Sequence, residues 1–345
     1  MRRPTLRGVG ARVGGRGVKV AVVDLGTNTC RLLLAEVEDG AVLRVAAREI
    51  AVVRLGQGVD ASGRLTAAAV ARTRDRLGAY AARIAAFAPE RRLLVATSVL
   101  RDAADGSVFL AAVGRDFDLP YRVVGGEDEA RLAFRGATSA LDAAALAGAS
   151  PLARRRAPAS APDVAVVDIG GGSSEFAVGQ PGAPPRFVRS LDVGAVRLTE
   201  RFFADDPPTG AQWGDAAGFV EGLLATGLPD AVRRTVGVVV GVAGTFTALV
   251  AYVLGMRVYD PGRVHGCVLT VARIEDAIDL FRGLTSAERG RLPGIQKGRE
   301  DVILAGALIA RAACRAFGVP AALVSEADIL EGAALWLGEG MPPLT

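Results

Sequence analysis

Residues 18–37, VKVAVVDLGTNTCRLLLAEV, place two apolar runs on either side of a short polar stretch, and residues 163–178, DVAVVDIGGGSSEFAV, repeat the arrangement. In both copies a β-branched run ends in aspartate, a tip of Gly, Ser, Thr or Asn follows, and apolar alternation resumes. Each copy predicts a β-hairpin with a polar, glycine-bearing tip. The shared AVVD-(Leu/Ile)-Gly core recurs about 144 positions later, a separation of domain size rather than solenoid size. Two similar α/β domains facing one another are the expectation.

Periodicity elsewhere supports mixed α/β structure. Helix-like stretches run over about 66–87, 127–140 and 271–282, and strand-like runs over 92–96, 121–124, 187–192, 236–240 and 321–324. Residues 236–256 contain no charge over 21 positions, long enough to cross a bilayer. Gly237, Gly241, Gly244, Thr245 and Thr247 divide that stretch into a β-branched run, a glycine turn and a helical tail, so buried strand, loop and helix are expected and no membrane span. Residues 141–163, LDAAALAGASPLARRRAPASAPD, are low in complexity and read as linker or surface insertion. The expected organisation is a disordered basic arm (1–17), an N-terminal domain (18–137), a linker or insertion (138–163) and a C-terminal domain (164–345). Its last helix, about 328–338, is expected to pack back on the N-terminal domain.

Composition agrees with two globular domains: 345 residues, 50% hydrophobic and 23% charged. The net charge of +4 invites a nucleic-acid reading. Yet Arg2, Arg3, Arg7, Arg12, Arg16 and Lys19 precede the first acidic residue, Asp24, and without these six the chain carries −2. The pI of about 9.3 therefore reflects the arm, and no specific nucleic-acid partner is expected. Arg2-Arg3 suggests an export signal, but no apolar segment follows, so the arm reads as a plain extension. Cys30, Cys267 and Cys314 are too scattered for a disulfide framework or zinc site, which fits a cytoplasmic protein.

The first tip, Asp24, Gly26, Thr27, Asn28, Thr29 and then Arg31, reads either as an ordinary turn or as an anion cradle. Backbone N–H groups, hydroxyls and a guanidinium are what phosphate oxygens need. The second tip is more specific, because Gly170, Gly171 and Gly172 followed by Ser173 and Ser174 cost ordering entropy that a mere turn does not require. Asp168 and Glu175 flank it with hard oxygens able to hold Mg²⁺. A third glycine turn around Gly244 and Thr245 opens onto a helix. Thr97, Ser98 and Arg101 follow a strand, either as ligand groups or as a helix cap with an ion-paired arginine. Glu127, Asp128 and Glu129 begin a helix, where acids complement the dipole, and one of them can orient and deprotonate water. The sole histidine, His265, reads as structural, and the lysine spacing of a Walker phosphate loop is absent.

Together these residues resemble the exopolyphosphatase/guanosine pentaphosphate phosphohydrolase (Ppx/GppA) family, over about residues 18–335. The motifs that carry the resemblance are DLGTNTCR (24–31), TSVLRDAAD (97–105), EDEAR (127–131), DIGGGSSE (168–175), VGAVRLTERF, GVAGT and SEADILEG from Ser325. The resemblance implies two ribonuclease-H-like domains of the actin-like ATPase superfamily with the active site in their cleft. It also implies Mg²⁺-dependent release of terminal phosphate from polyphosphate, or from guanosine pentaphosphate. It makes Glu129 the base, Asp168 an assistant to water or metal, and Arg31 and Arg101 phosphate contacts. Asp105 stands where relatives often have Asn, and Ala327 where they often have His. The chain is similar to the short two-domain members, which lack further helical domains. A superfamily kinase and a non-catalytic sensor of polyphosphate or guanosine tetraphosphate are the competing readings. A homodimer is compatible with either.

Overall fold

β1 (Val18–Leu25) and β2 (Thr29–Glu38) form an antiparallel hairpin, and β3 (Ala41–Val52) extends it. β4 (Arg91–Ala96) and β5 (Tyr121–Val123) continue the sheet in parallel on the other side of β1, giving the order β3-β2-β1-β4-β5. The second sheet repeats this plan. β6 (Asp163–Ile169), β7 (Ser174–Gly179) and β8 (Phe187–Leu191) are antiparallel, β9 (Val236–Val242) and β11 (Ala321–Val324) are parallel to β6, and β10 (Val268–Thr270) is added at the edge. This computed structural model describes residues 17–141, 145–146 and 162–344. The expected basic arm apart from Gly17, and most of the expected linker or insertion, lie outside the described residues, while residues 138–140 of that linker belong to the Gly126–Ala140 helix and Asp163 to β6.

β1 and β6 are central strands buried on both faces, so their apolar residues alternate between two cores. From β1, Ala21, Val23 and Leu25 face the outer core beneath the Ala67–Phe87 helix, while Val20 and Val22 face the inner one. From β6, Ala165, Val167 and Ile169 face outward, and Val164 and Val166 inward. Two helices fill the inner layer. The Ile329–Gly338 helix packs its Leu330, Ala333, Ala334 and Trp336 against the first sheet, and the Gly126–Ala140 helix packs Ala130, Ala133, Phe134 and Ala137 against the second. Where they cross, Gly136 lies against the Asp328 carbonyl and Gly332 against that of Leu132, each so close that a Cβ would overlap the oxygen. Only glycine permits this approach.

Observed elements differ from the expected ones mainly at their ends. The stretch from residue 236 contains no glycine turn: β9 runs through Gly241 to Val242 and passes directly into the Ala243–Val253 helix, with Ala243 at φ +61°. Gly241 is needed instead because a Cβ there would enter the Phe246 ring. Among the described residues no helix is long and apolar enough to cross a membrane.

Candidate active site

Strand alternation explains where the acids gather. Asp24 continues the inward row of Val20 and Val22, Asp168 that of Val164 and Val166, and Glu175 that of Ala177. Arg31 continues the row of Leu33 and Ala35 and pairs across the hairpin with Asp24, as Glu175 does with Asp168. Glu129 lies in the first turn of the Gly126–Ala140 helix, and Asp328 caps the Ile329–Gly338 helix by accepting from Leu330 N at 3.0 Å. Both sheets and both inner helices thus deliver polar groups to the same end of the inner layer.

There the two hairpin tips meet. A Cβ added at Gly171 or Gly172 would press on Thr27, and at Gly172 also on Ser98 Oγ at 2.8 Å. Thr27 Oγ1 and Ser98 Oγ lie 3.1 Å apart. The loop carbonyls are occupied: Gly170 O accepts from Ala195 N, Gly171 O from Val196 N, Thr27 O from Gly56 N and Asn28 O from Val53 N, at 2.8–2.9 Å. By contrast, the N–H groups of Thr27, Asn28, Gly171 and Gly172 have no acceptor among the described residues. Facing N–H groups of this kind make an anion-binding concavity.

The cleft between the tips encloses about 90 Å³, room for roughly six to nine waters, or for phosphate groups with a few waters. Asp24, Gly26, Thr27, Asn28, Thr29, Arg31, Glu129, Asp168, Gly170, Gly171, Ser173, Gly244 and Thr245 line it. Four other expected site residues stand apart from its wall. Gly172 sits at the contact with Ser98 and Thr27. Ser174 is fully buried and donates to Val193 O at 2.5 Å, a structural bond that occupies its hydroxyl. Arg101 donates to Val124 O at 2.7 Å and to Glu129 Oε2 at 3.3 Å, so its guanidinium orients the glutamate. Glu175 is 1% exposed, opposite Asp168 across the hairpin.

Arg31 is engaged more heavily than its motif suggests. Its Nε donates to Asp24 Oδ2 at 2.7 Å and its Nη1 to Asp328, tying the first hairpin to the last helix. Two further residues escaped the sequence reading. Asp328 stands beside Ala327 in SEADILEG, and Arg299 reaches the cleft from the loop before the Ile303–Ala316 helix. Arg299 donates to Gln296 Oε1 at 3.2 Å and forms no ion pair among the described residues. Burial and the Arg31 charge pull its guanidinium down to about 10. Only the closed fold reveals it, since KGRED reads as surface loop.

The carboxylates outnumber the cations that face them. Burial pushes Glu129 well above the usual carboxylate range, reinforced by Glu175 and Asp168 and opposed by Arg101. Burial likewise raises Asp168, with Glu175 and Asp328 adding to the effect, and raises Asp24 against the pull of Arg31. Glu175 is pushed up to about 7 by burial despite hydrogen bonds from Ser173 and Ser190. Its Oε1 accepts from Ser190 Oγ at 2.8 Å, while Oε2 is buried without a partner. An orphaned carboxylate oxygen amid surplus negative charge suits a hard cation. No three His, Cys, Asp or Glu side chains among the described residues are grouped as a ready cage. The fit is therefore to Mg²⁺ held by one or two carboxylates, with water and phosphate completing its shell.

The sequence profile of the Ppx/GppA phosphatase family matches residues 33–149 and 153–336. The chain belongs to the Ppx/GppA phosphatase family. It is 37% identical over 331 residues to Exopolyphosphatase 2 of Mycobacterium tuberculosis, covering 92% of this chain and 98% of that protein. A solved Ppx/GppA enzyme of Aquifex aeolicus superposes with a TM-score of 0.74 at 33% identity, over 92% of this chain and 99% of that one. An exopolyphosphatase-like protein of known structure gives 0.84 at 30% identity, over 95% and 99%. A Ppx/GppA member with this two-sheet fold is a phosphoanhydride hydrolase, and the cleft between its hairpin tips is the candidate active site.

Proposed function

We propose that the protein releases terminal phosphate from inorganic polyphosphate by in-line attack of water, and that it works in the cytoplasm, where its three free thiols would stay reduced. The observation that carries this reading is the pair of facing tips, with four unengaged N–H groups beside a buried carboxylate on a separate helix. The terminal phosphates would rest between the tips, and Arg299 would supply an unpaired positive charge. Glu129, held by Arg101, takes the proton from the attacking water. Its raised affinity for protons makes it a stronger base than a solvent-exposed glutamate. Asp168 orients that water or a metal. Mg²⁺, held by Asp168 with Glu175 behind it, would neutralise charge on the phosphate oxygens. Most of the catalysis is positioning and charge neutralisation.

Short polyphosphate, long polyphosphate, guanosine pentaphosphate and ATP should be offered in parallel, with initial rates of phosphate release compared. Polyphosphate is expected to lead; a clear preference for guanosine pentaphosphate would replace it as the substrate. Acceptor-dependent loss of ATP without free phosphate would mark a kinase. Glu129→Gln should lower kcat by roughly 10²–10⁴ with an unchanged far-UV spectrum, and a near wild-type rate would remove Glu129 from the mechanism.

A further inference from the structure

The cleft does not end at the hairpin tips. Arg48, Ile50, Tyr259, Gln296 and Glu326 line both it and a second, open groove of about 910 Å³. Ile50, Ala51 and Val52 of the edge strand β3 contribute to the groove, and its charged lining is predominantly basic. Two of the arginines are already neutralised: Arg48 pairs with Glu331, and Arg54 with Asp301 at 3.1 Å and Glu300 at 3.8 Å.

The other three cations differ. Arg72 donates only to neutral acceptors, Val53 O at 3.0 Å and Gln57 Oε1 at 3.4 Å among them. Arg76 lies over the Tyr80 ring, 5.7 Å from its centroid. Neither these two nor Lys297 pairs with a carboxylate among the described residues, and all three are exposed. Arg72 and Arg76 stand one turn apart on the Ala67–Phe87 helix, a like-charge spacing that costs helix stability. Since the chain beyond its basic arm carries −1, this concentration of unpaired positive charge is local and not a by-product of a basic composition.

We infer that this groove is a subsite for the trailing phosphates of a linear polyphosphate whose end lies in the cleft, with Arg72, Arg76 and Lys297 as its anion contacts. The inference rests on the hydrolase reading above and deepens it by assigning chain-length preference to named residues. A polymer with charge on every unit gains from each cation spaced along its path, whereas a substrate of two or three phosphates ends within the cleft. Contacts of this kind weaken steeply with salt.

The test compares wild type with the Arg72→Gln/Arg76→Gln double variant and with Lys297→Gln, on tripolyphosphate and on long-chain polyphosphate at several salt concentrations. The double variant should raise KM for the long chain roughly tenfold and flatten its salt dependence. Lys297→Gln should do the same to a smaller extent, and tripolyphosphate kinetics should not change. Equal effects on both chain lengths, or no effect on either, would overturn the subsite. Equilibrium binding of fluorescently labelled long polyphosphate separates this result from the fate of the hydrolase reading. A wild type that releases no phosphate from either tripolyphosphate or long-chain polyphosphate ends that reading, while unchanged binding by the double variant ends the subsite.

Discussion

The Glu175 carboxyl, pushed up to about 7 from its ordinary 4.5 chiefly by burial, links stability to acidity. A raised folded-state value means the stabilising contribution is complete below the ordinary value and is lost as pH rises through the folded one. Stability without metal should therefore fall between about pH 4.5 and 7. Glu175→Gln should lessen that fall, to which the likewise raised Glu129 and Asp168 also contribute, and should be more stable than wild type at pH 8 by on the order of a few kcal/mol; thermal melts across pH check it. The same charge helps to hold Glu129 up. The acid limb of the kcat/KM profile should accordingly lie above the ordinary glutamate range in wild type and move to lower pH in Glu175→Gln, and a stationary limb would break the link. Asp168 stood out in the sequence because three glycines and two serines beside it are costly to order without a ligand, whereas the Asp24 tip read equally as an ordinary turn and Glu129 equally as a complement to its helix dipole. Arg299 and Asp328 were not legible, because their meaning comes from what the fold sets beside them, and Ser174 was misread because hydroxyls that bind phosphate and hydroxyls that brace a loop look alike in sequence.

At the scale of elements, two glycines make opposite predictions. Gly332 faces backbone, the Leu132 carbonyl, which cannot move without shifting a helix. Gly332→Ala should cost about 1–3 kcal/mol in chemical denaturation and lower activity too, since the displaced helices carry Glu129 and Asp328. Gly244 faces the far end of the Arg299 side chain, which can swing away. Gly244→Ala should leave the denaturation midpoint near wild type and raise KM, and an unchanged KM would show that Arg299 does not meet substrate. The hairpins, the central strands and the 271–282 helix were readable from periodicity because tertiary packing there follows local preference. The turn expected near Gly241 failed for the opposite reason. That glycine makes room for Phe246, a packing demand that resembles a turn signal when only composition is seen.

For the whole molecule, the tips are held together partly at the rim. Arg197, beside the second tip, reaches Asp102 and lies 3.5 Å from Asp60, both on the first half, and Gly58 N donates to Glu200 at 3.3 Å. Such part-exposed contacts are worth about 0–1 kcal/mol each. Arg197→Ala should therefore raise KM only severalfold while increasing the radius of gyration measured by X-ray scattering without substrate; a larger penalty would place Arg197 in contact with phosphate. The two-sheet plan was visible as an internal repeat, and the sheets do share a strand order. The repeat said nothing of how the inner layer is filled, because neither inner helix belongs to the hairpins that announce it.

That layer also fixes a schedule. The inner face of the sheet begun by Val18–Leu25 is covered by Ile329–Gly338, so during synthesis Val20 and Val22 wait for Trp336. At 5–20 residues per second, the interval is roughly 15–60 s. For that time a nascent chain carries an uncovered apolar sheet, a natural client for a chaperone at the ribosome exit.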